Sequence, residues 1–143
     1  MPAAAPLVPA PLWRRLAATG YDLLPLVGIW MGGAFVALLF VPGHQVPPGT
    51  LWFQLYLVAL TAAYFGLSWL RGGQTIGMRA WKIRLVGADG QPCSPAMIAG
   101  RLLLTPLSLL PLFAGVAAAA FDPAGRMWHD RVAGTRVIRV NPA

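Results

Sequence analysis

The sequence predicts an all-α transmembrane fold, on three observations. Of its 143 residues, 57% are hydrophobic and only 10% are charged, where a soluble domain carries about 25% charged residues. The apolar residues fall in long runs, each the length of a bilayer crossing. The basic residues, eleven Lys and Arg against four Asp and Glu, flank those runs. So few charges could not cover a soluble core of this size, whereas lipid solvates an apolar exterior. The formal charge of +7 then reads as loops beside anionic lipid and not as a nucleic-acid surface.

Residues 1–12 are Ala- and Pro-rich and read as a disordered or extended tail without a function of their own. No positive charge precedes an apolar stretch there, so no signal peptide is read. The membrane domain is expected over 13–140, with 141–143 as a short tail. Its first apolar run, Leu16 to Val41, is interrupted only by Asp22 and is long enough to span at 1.5 Å per residue. Gly28 and Gly32 have a spacing that lets a second helix approach closely.

The stretch from Pro42 to Thr50 is rich in chain breakers and lacks charge. The second run, Leu51 to Leu70, is uncharged, with Trp52, Phe53 and Tyr56 near one end and Trp69 near the other. Aromatics at both ends fit the interfacial belts of a spanning helix. Residues 71–95 are polar. Within them, Ala80 to Leu85 alternates apolar and basic residues and predicts a short strand ended by a turn at Ala88-Asp89-Gly90. Gly134 to Val140 is a second β-prone run; the two are read as a ribbon on the cytoplasmic face, with irregular juxtamembrane segments as the alternative.

The third apolar run, Leu102 to Phe121, follows Arg101 and is broken at Thr105-Pro106, Leu110-Pro111 and Gly115. Arg14 and Arg15 precede the first span and five further basic residues lie between the second and third, which puts the N-terminus in the cytoplasm. The tail carries Arg126, Arg131, Arg136 and Arg139. A single crossing would strand these outside. A re-entrant, turned-back third segment returns them to the cytoplasm and is preferred, with a third full span as its rival.

Cys93 is the sole cysteine, which excludes an internal disulfide and a cysteine-cluster metal site. It reads as a neutral, unreactive thiol. His44 and His129 form no metal-ligand pattern, and no metal or cofactor is expected. Gly72-Gly73 with Gly77 lacks the Lys-Ser or Lys-Thr of a phosphate loop and reads as a tight glycine turn. His129 beside Asp130 fits proton handling or a plain interfacial polar residue. Arg101 fits a substrate ligand or a charge snorkelling from a helix end. No nucleophile with its base and orienting group appears, so an enzyme is not expected.

Arg15 and Asp22 lie seven apart and share one helix face, about 10 Å apart along the axis. An ionised carboxylate at that depth costs several kcal/mol unless paired, hydrated or protonated. Arg15-Leu-Ala-Ala18-Thr-Gly-Tyr-Asp22 resembles the R-x-x-A-x-x-x-D signature of the RDD family. Gly73-Gln-Thr75-Ile-Gly77-Met-Arg79 is similar to that family's G-x-T-x-G-K/M-R motif, with Met78 where lysine is common. Trp128-His129-Asp130-Arg131-Val-Ala-Gly134-Thr135 resembles its H-D-x-x-A-G-T motif. The order and spacing hold from about Trp13 to Val140.

The resemblance implies a multi-pass protein of the bacterial inner membrane. Its namesake residues would be Arg15, Asp22 and Asp130. Transport, with sodium–proton exchange in some members, is the activity suggested for the family. The resemblance carries over the motif residues and not that activity.

Two functions fit. One is a small ion or solute carrier that binds a proton or cation at Asp22, with Asp130 as second acid and Arg15 controlling their charge. So small a carrier would homo-oligomerise, through Gly28/Gly32 or Ala62/Gly66. The other is a non-transporting module that stabilises or recruits a membrane partner. Its charges would form a clamp: Arg15 with Asp130, and Asp22 with Arg131 or Arg79. A carboxylate retained at that depth tips the sequence reading toward the carrier.

Overall fold

In the computed structural model, residues 8–109 and 128–140 are described. Helix α1 covers Leu12–Phe40 and α2 covers Leu51–Gly72, joined through a 3₁₀ turn at Pro42–His44. Both are long and apolar enough to cross a membrane. Their outward residues are bare in the single chain, with Leu24 70% and Phe40 82% exposed. A core helix of a soluble protein would bury most of its apolar surface. Helices this apolar and this uncovered suggest a membrane protein.

The two long helices run antiparallel and meet along one seam. Gly33 lies against Leu60 and Tyr56, where a Cβ would collide with Leu60 Cδ1. Trp30 Nε1 donates to Thr61 Oγ1 at 2.9 Å. One stripe of α1, comprising Arg15, Ala18, Asp22 and Leu26, is buried; the spacings of three and four residues define a single helical face.

After α2 comes a short helix, α3 (Ile76–Ala80), then strand β1 (Ile83–Gly87) and helix α4 (Pro95–Leu109). The chain is described again at helix α5 (Trp128–Val132), followed by strand β2 (Thr135–Arg139). The expected ribbon is present: β1 and β2 pair antiparallel, with Ile83 opposite Arg139 and Leu85 opposite Val137. The first strand sits later than its alternating pattern suggested. Ala80 ends α3, and Lys82 turns the chain at φ 52° before Ile83 begins the strand.

Two further expectations need correction. The third helix starts at Pro95 and not at Leu102, and it continues through Thr105-Pro106, so the break expected there is absent. The breaks expected at Leu110-Pro111 and Gly115, and the turn itself, lie outside the described residues. The described end of the N-terminal tail is extended and paired. Pro9 bridges Ile138, Ala10 N donates to Val137 O at 3.0 Å, and Ala10 is buried. Val8 to Ala10 thus extend the ribbon as its outer edge.

The hydrophobic core gathers at one end of the long helices. Ala18, Trp69, Met78, Ile83, Leu85, Ile98 and Val137 meet there with Ala10. That end holds the start of α1, the finish of α2, the ribbon and the first turns of α4. The tail strand β2 therefore lies at the end from which α1 departs.

Candidate functional site

The motif residues converge at this end in two polar nodes on the buried stripe of α1. The first is built on Asp130, which α5 carries into the interior. The Asp130 side chain is fully buried and holds two guanidiniums. Arg15 Nη1 donates to Oδ2 at 2.9 Å, and Arg101 Nη1 donates to Oδ1. Arg101 Nη1 also donates to Thr135 Oγ1 at 3.1 Å, and Arg15 Nη2 reaches Val137 O at 3.5 Å. The Arg101 guanidinium lies 5.1 Å over the Trp69 ring, a favourable cation–π placement. One carboxylate thereby fastens α1, α4, α5 and the start of β2.

The second node is built on Asp22. Its Oδ1 accepts from Tyr64 Oη at 2.7 Å and from Gly77 N at 2.8 Å. Its Oδ2 accepts from Thr75 Oγ1 at 2.5 Å. Thr75 Oγ1 in turn accepts from Met78 N at 3.1 Å, the N-cap of α3. The carboxylate thus binds α2, at Tyr64, and the first turn of α3 to α1, through neutral donors alone.

The glycines of the middle motif serve close approach. At position 77 a Cβ would collide with the Ala18 carbonyl oxygen and lie 3.0 Å from Asp22 Cγ. Only glycine lets α3 settle on α1, and Ala18 supplies the small facing surface. Gly73 ends α2 at φ 67°, with its N–H on Trp69 O, while its carbonyl accepts from Leu85 N at 2.8 Å. The expected glycine turn is therefore a cap at Gly73, a short helix from Ile76, and a helix-to-helix contact at Gly77.

The charged constellation differs from the expected clamp in half its pairs. Arg15 with Asp130 is present. Asp22 pairs with neither Arg131 nor Arg79, and Arg79 is exposed. Arg15, Asp22 and Asp130 accordingly do not form a single charge cluster. Arg101, read as a substrate ligand or a snorkelling charge, is instead a buried partner of Asp130. His129 is placed in α5, but its side chain lies outside what is described. Arg131 and Gly134 close α5, where Gly134 N donates to Arg131 O at 3.3 Å. Gly66, one half of a suggested oligomer contact, is buried against Leu102 within the chain, whereas Gly28 and Gly32 meet no neighbour among the described residues.

Sequence reasoning missed Tyr64 and Trp69. Tyr64 was legible as one of several hydroxyls within a spanning helix, where an O–H away from water needs a partner. Trp69 was read as an interfacial anchor, and nothing in the sequence placed it under Arg101. Among the described residues, no group of His, Cys, Asp or Glu could hold a metal ion.

A helical hairpin with bare apolar flanks, a third apolar helix and a polar-fastened ribbon at one end together suggest a small membrane protein. The chain belongs to the RDD family, whose model matches residues 9–134. That match takes in all three motifs down to Gly134. No curated protein and no solved structure matches it.

Proposed function

We propose that this chain is a non-transporting membrane module whose motif charges are structural fasteners. The observation that carries this reading is the occupancy of the two buried acids. Both oxygens of Asp130 are taken by arginines, and both oxygens of Asp22 are taken by Tyr64, Thr75 and Gly77. A carrier needs a carboxylate that a moving ion can reach and leave, and these two are committed to holding elements together. What they hold is the ribbon end, where Arg71, Arg79, Lys82 and Arg84 are exposed.

Under the positive-inside rule that basic end faces the cytoplasm of a bacterial inner membrane, with the N-terminus inside. There the ribbon is placed to stabilise or recruit a membrane partner. The open Gly28 and Gly32 face of α1 leaves room for a second helix, from another copy or from that partner. Vesicles reconstituted with the purified protein separate this reading from the carrier. The module predicts no proton- or sodium-coupled flux above protein-free vesicles. Flux that disappears in a folded Asp22→Asn variant would establish the carrier instead.

A further inference from the structure

Among the described residues, the Asp130 node leaves one charge and several donors unspent. Two guanidiniums share a single carboxylate. The other buried acid described, Asp22, sits two helical turns along α1 and spends its oxygens on neutral donors. Nε of Arg15, Nε of Arg101 and Nε1 of Trp69 are all buried without an acceptor. These residues are only 7%, 9% and 9% exposed. They are also neighbours: the arginines grip opposite oxygens of Asp130, and Arg101 stacks on Trp69. A buried N–H without an acceptor is costly, and an excess buried cation more so. An anion would relieve both costs at once.

We propose that Arg15, Arg101 and Trp69 form a binding site for a phosphate-type anion. Guanidinium donors match the oxygens of a phosphate in geometry as well as charge. The node sits in the first turn of α1 and the last turn of α2. In helices that cross a bilayer, those turns lie at the level of the lipid headgroup phosphates. Arg14 and Arg136, at the same end, also carry an Nε without an acceptor and widen the cationic rim. The proposal goes beyond the structural role above, since the fasteners hold with or without a bound anion.

The test is the thermal melting of the full-length protein in non-ionic detergent. Phosphatidylglycerol, phosphatidylcholine or inorganic phosphate is titrated in, with chloride at equal ionic strength as control. A saturable rise in Tm with phosphatidylglycerol alone identifies a lipid headgroup as the ligand. A rise with inorganic phosphate identifies free phosphate. Two variants report on the site. Trp69→Phe keeps a ring under Arg101 and removes one donor; it also loses core volume, so binding is read as the anion-dependent shift relative to the variant's own unliganded Tm. Arg101→Lys keeps the charge beside Asp130 and removes the Nε donor. Each should weaken anion binding by about tenfold. The assignment is overturned if no anion shifts the wild-type Tm beyond chloride. It is equally overturned if phosphatidylcholine acts as strongly as phosphatidylglycerol, or if Trp69→Phe binds as the wild type does.

Discussion

The backbone N–H of Gly77 donates to Asp22 Oδ1 at 2.8 Å, and there is no room for a side chain between α3 and the Ala18 carbonyl of α1. The middle motif and the first motif are thus two halves of one contact. Because the obstacle is backbone, Gly77→Ala cannot be relieved by a rotamer change. It should destabilise the protein by about 2 kcal/mol or more, read as a lowered melting temperature in detergent. Gly28→Ala, at a position with open space, should cost little in the same assay. Equal stability of the two variants would refute the close contact.

The two acids should respond differently to neutralisation. Asp130→Asn strands two buried arginines, and breaking such a pair costs about 3–5 kcal/mol. Asp22→Asn faces only neutral donors, keeps an oxygen for Gly77 and Tyr64, and should cost about 1–3 kcal/mol. Melting of the two variants side by side checks the order. An Asp22→Asn variant less stable than Asp130→Asn would contradict the division into one ionic and one neutral node.

The two ends of the helices predict an accessibility pattern. In a Cys93→Ser background, Gln45→Cys lies in the connection between α1 and α2, while Lys82→Cys and Arg139→Cys lie at the ribbon end; all three positions are exposed. In intact cells an impermeant thiol reagent should label Gln45→Cys and spare the other two. Labelling of Arg139→Cys from outside would overturn the cytoplasmic placement of the ribbon.

Burial pushes the Cys93 thiol above its ordinary pKa; nearby Arg101 opposes that shift and Asp89 adds to it. A raised pKa means less thiolate at neutral pH, and the thiolate is the nucleophile. Maleimide labelling of the native protein at pH 7 should be slower than that of a free thiol and should accelerate as pH rises past the usual thiol range. Labelling as fast as a free thiol at pH 7 would show Cys93 to be open.

The hairpin was legible because length and apolarity alone define a spanning helix, and the ribbon because alternation marks a half-buried strand. The site was legible as residues but not as pairs. Helical spacing placed Arg15 and Asp22 on one face, yet it carries no information about what arrives opposite. Asp22 was assigned a cation because a carboxylate in an apolar run is costly unless paired, hydrated or protonated. Three neutral donors from Tyr64, Thr75 and the Gly77 amide meet that demand instead. Arg101 was misread because its helix starts about two turns earlier than the apolar run, which moves it from a helix end into the interior.

The most direct test of the fastener account is a double-mutant cycle on Arg15 and Asp130, scored by stability in detergent. Arg15→Gln, Asp130→Asn and the double variant are compared with the wild type. Charge reversal is the wrong probe, because an arginine at 130 would face Arg101. If Asp130 fastens the tail to α1, the double variant should lose less than the sum of the singles, with a coupling of about 1–3 kcal/mol. Losses that add to within about 0.5 kcal/mol would mean that Arg15 and Asp130 do not hold one another, and would contradict the account.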